Sequence, residues 1–309
     1  MGNVIPRHFG PYREGGALEE AWRALACRVG ATESVAGHSV EGRPLWRFDL
    51  GTDDQPSVLL TALIHGNELI GSEALFHLVE TLALPDSARP VLDQVRLVIL
   101  PVMNPDALAA NTGKLMAGER AWQRWNRRGV DLNRNFPVIG QCHLLHPFSG
   151  SAVRWSPYYA GPHPGSEPET HTLVKVAKEV HPALSLGFHS FGNMLLYPWG
   201  HTRRPSPRRG YYRRITQSFV ESVRHTPYKI LQASHLYPVT GDLDDWLEAR
   251  FGTTAFTVEV SQLDCRLLDP RRLLNPFSWM NPVNLRGTVR NLTPGLIALM
   301  DGWVRTADV

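Results

Sequence analysis

The chain has 309 residues, 43% of them apolar and 20% charged, with a formal net charge of +3. That balance is enough for a sizeable core and excludes an extended disordered chain, and so small a net charge makes no strong field for nucleic acid or an anionic membrane. No period of roughly 20 to 50 residues recurs and no low-complexity tract divides the sequence, so residues 1–309 are read as one domain. Residues 17–29 (ALEEAWRALACRV) have helical spacing, while 45–50 (LWRFDL), 57–64 (SVLLTALI) and 95–101 (VRLVILP) are apolar runs of strand length. Between the last two lies a helix, 71–84 (GSEALFHLVETLAL), stopped by Pro85. A helix joining two buried strands is the unit from which parallel sheets are built. Further on, helices are expected at 167–180, 210–225, 242–250 and 294–305, and strands at 183–189 (ALSLGFH) and 253–260 (TTAFTVEV). The alternation predicts an α/β fold, with a central mixed, largely parallel, twisted sheet flanked by helices on both faces. Two irregular stretches, 136–166 and 191–209, are rich in Pro, Gly, Ser and His and are candidate walls of a binding site.

The run VLLTALIHGNE at 58–68 ends a buried strand in two groups able to hold a metal, His65 and Glu68, with Gly66 allowing a sharp turn. A catalytic zinc takes nitrogen and oxygen ligands from rigid elements and keeps one position open for water. Taken alone, H-x-x-E is short and fits a structural histidine as well as a ligand. His189 closes the strand at 183–189, at the carboxyl end where a parallel sheet presents its ligands. His143, His146, His163, His171 and His181 lie in loops or among charged neighbours and read as surface residues. Glu259 interrupts the apolar run TAFTVEVSQ, which suits either an outward position on a strand or a general base in a cavity.

The segment RWNRRGVDLNRNFP at 124–137 changes the weight of these readings. It resembles the zinc metallocarboxypeptidases of the pancreatic carboxypeptidase (funnelin) type, and the family's pieces occur in order from about residue 40 to about residue 305. The resemblance implies a carboxypeptidase-like fold and one zinc per chain, held by His65, Glu68 and His189. Glu259 would be the catalytic glutamate, Arg124 the arginine on the scissile carbonyl, and Asn133 with Arg134 the pair that grips a substrate's terminal carboxylate. Tyr237, nine residues before Trp246 and 22 before Glu259, matches the tyrosine that closes over the substrate. Two features depart from the digestive members: Asn67 stands where they carry arginine, and Phe191 replaces a tyrosine. A peptide with a free C-terminal carboxylate is thus the expected partner.

Asp244, two residues before Trp246, aligns with the residue at the base of the family's specificity pocket. An aspartate there favours a terminal lysine, arginine or diaminopimelate, although L-D-D-W also suits a helix N-terminus. Competing expectations are a murein peptide amidase releasing diaminopimelate, a deacylase of the aspartoacylase or succinylglutamate desuccinylase type, and an inactive peptide-binding pseudo-peptidase. The three cysteines, Cys27, Cys142 and Cys265, make no C-x-x-C pair, and the first residues hold no apolar segment of a secretory signal. A cytoplasmic setting is therefore expected. The basic cluster RRPSPRRGYYRR at 203–214 reads as a solvated loop, and nothing in the residues bears on oligomeric state.

Overall fold

Every apolar run read as a strand lies in one eight-stranded sheet. The structure is a computed structural model and describes residues 10–84, 89–140, 146–264 and 273–307. Cys142, His143 and Cys265 lie outside them. In chain order the strands are β1 Thr32–His38, β2 Pro44–Leu50, β3 Ser57–Ala62, β4 Arg96–Leu100, β5 Leu184–His189, β6 Met194–Tyr197, β7 Lys229–Gln232 and β8 Thr254–Glu259. Their spatial order is β1-β2-β4-β3-β5-β8-β6-β7. The central strands β4, β3, β5 and β8 run parallel, while β1 and β2 on one side and β6 against β8 on the other are antiparallel. Strands β3 and β5 are buried at every position, as expected when both faces of a parallel sheet are covered.

The covering helices are α1 Gly15–Val29, α2 Leu69–Leu82, the short turn α3 Arg89–Leu92, α4 Pro105–Met116, α5 Pro168–Val180, α6 Arg209–Ile215, α7 Gln217–Ser222, α8 Leu243–Phe251, α9 Pro276–Met280 and α10 Leu285–Ala307. On one face Val58, Leu60, Leu186 and Phe256 share a core with α1, α2 and α10. On the other, Leu59 and Val98 pack with Leu173 of α5 and Trp246 of α8. No helix among the described residues is long and apolar enough to cross a membrane.

Three expectations need adjusting. The strand expected over 57–64 stops at Ala62, because Leu63 takes a left-handed φ of 51° and turns the chain toward α2. The helix expected over 210–225 is two helices: the Thr216 hydroxyl bonds back to the Tyr212 carbonyl at 2.8 Å, and α6 ends there. The helix expected to begin at Pro294 begins at Leu285 and runs through the proline. Its apolar stripe, Leu285, Val289, Leu292, Leu296, Leu299 and Trp303, continues across Pro294, so tertiary packing outweighs the missing backbone bond.

Candidate active site

The parallel pairing decides what meets at the carboxyl ends of the central strands. Ala62 pairs with Phe188, and His189 pairs with Glu259, so three strand ends deliver His65, His189 and Glu259 to one place. Glu68 arrives as the residue capping the start of α2. The turn between them is held from behind by α4. Asn111 Nδ2 donates to the Gly66 carbonyl at 2.8 Å, and a Cβ built on Gly66 would stand 2.2 Å from Cβ of Ala107, so only glycine allows this approach.

Ligating atoms of His65, Glu68 and His189, all buried, lie within 4.8 Å of one another. His65 Nδ1 is 3.0 Å from Glu68 Oε1, His189 Nδ1 is 3.1 Å from Glu68 Oε2, and the two Nδ1 atoms face each other at 3.1 Å. The opposite edge of His65 fixes its tautomer: Nε2 lies 3.1 Å from the Asp131 carboxylate, to which its N–H donates, so the lone pair is left on Nδ1. Two nitrogens and a carboxylate with lone pairs converging on one point suit zinc. The donor set therefore fits the ion that the resemblance implies.

The charges around this point are balanced by geometry. Arg124 donates from Nη1 to Glu68 Oε1 and from Nε to Asp131 Oδ2, each at 3.1 Å. Burial alone would raise both carboxyls. The His65 and His189 rings instead hold Glu68 well below the usual carboxylate range, and Arg124, Arg134 and His65 do the same for Asp131. Glu259 is the opposite case. Burial and repulsion from Glu68 push its carboxyl well above the ordinary value, against the pull of Arg124.

A cavity of about 430 Å³ opens over these groups, lined also by Asn133, Arg134, Tyr158 and Tyr237. Among the described residues, six buried side-chain polar atoms lack a hydrogen-bond partner, and four belong to residues lining this cavity: Asn67 Oδ1, Arg134 Nη2, Asp242 Oδ1 and Glu259 Oε2. Buried polar atoms are rarely left so, and their gathering in one place marks where a ligand completes them. Arg134 is held by its other nitrogens, Nε on the Phe148 carbonyl at 2.9 Å and Nη1 on the Asn133 carbonyl at 2.7 Å, which leaves Nη2 for a ligand. The Asn133 side-chain oxygen accepts from the Leu243 backbone at 3.1 Å. Tyr237 is half-buried, with its ring against His146 and Phe148.

The one candidate that does not reach the cavity wall is Asp244. It sits in the first turn of α8, accepts from the Thr257 hydroxyl at 2.6 Å, and has Thr257 between itself and the cavity. Asp242, the N-cap of the same helix, lines the cavity instead. Asp131, within the GVDLNRN segment, is a further site residue that spacing does not single out, because its place behind His65 depends on a contact between residues far apart in the sequence.

A family model described as zinc carboxypeptidase matches residues 23–277. The chain belongs to the zinc carboxypeptidase family. Within that family, carboxypeptidase B of Helicoverpa zea is 30% identical over 188 residues, covering 55% of this chain and 42% of that protein. Carboxypeptidase B of Astacus astacus is 26% identical over 250 residues, covering 74% of this chain and 79% of its own. The chain thus spans less than half of the first relative and about four fifths of the second. The crystal structure of carboxypeptidase A from Helicoverpa armigera superposes with a TM-score of 0.80 at 20% identity, covering 99% of this chain and 77% of that one, a likeness of fold. One zinc per chain is the family's cofactor, and the His65, Glu68 and His189 cluster is where this zinc carboxypeptidase family member has the donors for it.

Proposed function

We propose that this chain is an active metallocarboxypeptidase that removes the last residue of a peptide. The observation that carries the reading is the set of unpaired polar atoms on residues lining one cavity, with Arg134 Nη2 and Glu259 Oε2 on opposite duties beside the His65, Glu68 and His189 cluster. A zinc ion bound there supplies an acidified water and a positive charge for the carbonyl oxygen. Arg134, with Asn133 and the phenol of Tyr237, receives the terminal carboxylate, so that only a chain end is held in reach. Arg124 stands over the cluster as the cation nearest a developing oxyanion. Glu259, its carboxyl raised by burial, takes the proton of the attacking water and passes it to the leaving amine.

The preferred terminal side chain is a second part of the proposal. Asp242, a residue of the cavity wall with one unpartnered oxygen, supports a cationic residue, lysine, arginine or diaminopimelate, whose charge offsets the burial and the repulsion from Asp245 and Asp244 that push this carboxyl well above its ordinary value, with Asp242 in the place that alignment assigns to Asp244. Cys27 is a free, exposed thiol, which agrees with the proposed cytoplasmic setting. The test pairs purified zinc-loaded protein with peptides ending in Lys, Arg, Phe and diaminopimelate. Glu259→Gln is expected to lower kcat by about 10²–10⁴ with zinc still bound. Full activity in that variant removes the mechanism, while exclusive release of diaminopimelate selects the murein amidase. Asp242→Asn is expected to lower kcat/KM for Lys and Arg by roughly tenfold or more and leave Phe unchanged.

A further inference from the structure

The basic stretch that this chemistry leaves unused has its own place on the molecule. Residues 203–235 hold eight of the 32 Lys and Arg and one of the 29 Asp and Glu, so the remainder of a chain of net charge +3 is acidic. Arg208 has a structural task, donating to the Gly252 and Thr253 carbonyls at 3.0 and 3.1 Å. Arg209 and Arg213 have none of that kind. One turn apart on α6, both are exposed, form no ion pair among the described residues, and line a cleft of about 490 Å³. Its lining includes Ile230 and Leu231 of β7, the last strand of the sheet, His235, and one carboxylate, Glu221, which accepts from Gln217 Nε2 at 3.1 Å and leaves the two guanidiniums in excess.

The cleft and the catalytic cavity share a wall. Of the segment 232–237, Gln232 and His235 line the cleft, and Ala233, Leu236 and Tyr237 line the cavity. On β6, Leu196 lines the cavity and Tyr197 the cleft. We infer that this cleft is an exosite for an acidic stretch of the same polypeptide whose C-terminus occupies the catalytic cavity. The inference rests on the carboxypeptidase reading. Guanidiniums one helical turn apart meet carboxylates two residues apart on one side of an extended chain, and the aliphatic floor receives the methylenes of glutamate side chains. An extended chain advances about 3.3–3.6 Å per residue, so a substrate of several residues is needed to pass over the segment 232–237 from the cleft to the cavity. Tyr197 is buried and His235 is the single exposed ring of the lining, too little for the row of stacked bases that a nucleic acid needs, and this favours polypeptide.

Three substrates ending in the same residues test it: a short N-acyl dipeptide, a longer peptide with a run of glutamates upstream, and its glutamine counterpart. At low ionic strength the glutamate peptide is expected to exceed the glutamine peptide in kcat/KM by about five- to tenfold, through KM. Salt and the double variant Arg209→Ala with Arg213→Ala should each abolish the difference and leave the dipeptide unaffected. Equal rates for the two long peptides, with the dipeptide cleaved, overturn the exosite alone. An advantage that survives the double variant does so too, as does equal cleavage combined with oligonucleotide binding lost on the same substitutions. A wild-type, zinc-loaded protein that cleaves none of the three overturns the carboxypeptidase reading, and the exosite with it.

Discussion

Burial pushes the Asp244 carboxyl up to about 7; the Thr257 hydroxyl bond pulls it back, and Asp245 and Glu248 add to the rise. In the folded chain this group therefore keeps its proton where the unfolded chain has lost it. Between the ordinary value of 3.8 and about 7 the unfolded state binds fewer protons, so stability falls as pH rises through that window and then levels. Asp244→Asn removes the ionisation. Relative to wild type, the variant is expected to gain roughly 2–4 kcal/mol on going from about pH 4 to about pH 8, measured by urea unfolding. A difference that does not change with pH would show that Asp244 is not held protonated. The same residue shows the limit of spacing as a guide. Counting back from Trp246 leads to the start of α8, and the side-chain direction within it puts Asp242 on the cavity and Asp244 behind Thr257.

At the scale of elements, α4 matters more than its distance in sequence suggests. Asn104 caps it by accepting from the Ala107 backbone at 3.1 Å, and Asn111 ties it to the carbonyls of Gly66 and Gln123, both at 2.8 Å. The turn bearing two of the three candidate metal ligands thus rests on a helix that contributes none. Gly66→Ala forces the new methyl against Ala107 and is expected to cost about 1–3 kcal/mol with weaker zinc retention. Thermal melts and zinc titration check this, and an unchanged melting temperature would mean that α4 gives way freely. The start of α4, Asn104-Pro105-Asp106, carries the signals of a helix N-terminus, yet its mixed interior has little apolar periodicity. β1 was hidden for a related reason. As an edge strand exposed along most of its length, it has no alternation to read.

For the whole molecule, a metal bound at the buried cluster is expected to add to stability. His65 and His189 face each other at 3.1 Å with Glu68 between them, an arrangement that an ion binding only the folded state reinforces. Removing zinc with a chelator is expected to lower the melting temperature, and readdition at about 100 times the dissociation constant to restore about 2.7 kcal/mol. Identical melting with and without zinc would exclude a metal site at these residues. Much of this architecture is legible in the chain itself: continuous apolar runs announce buried parallel strands, and His65, Glu68, His189, Glu259 and the GVDLNRN segment stand at or between their ends. These signals are local, because burial on both faces of a strand leaves its mark on every residue. Pairing register and side-chain direction depend on segments far apart in sequence. Only the fold brings Asp131 to the back of His65, turns Asp242 rather than Asp244 toward the cavity, and sets Arg209 and Arg213 on the far side of the wall that carries Tyr237.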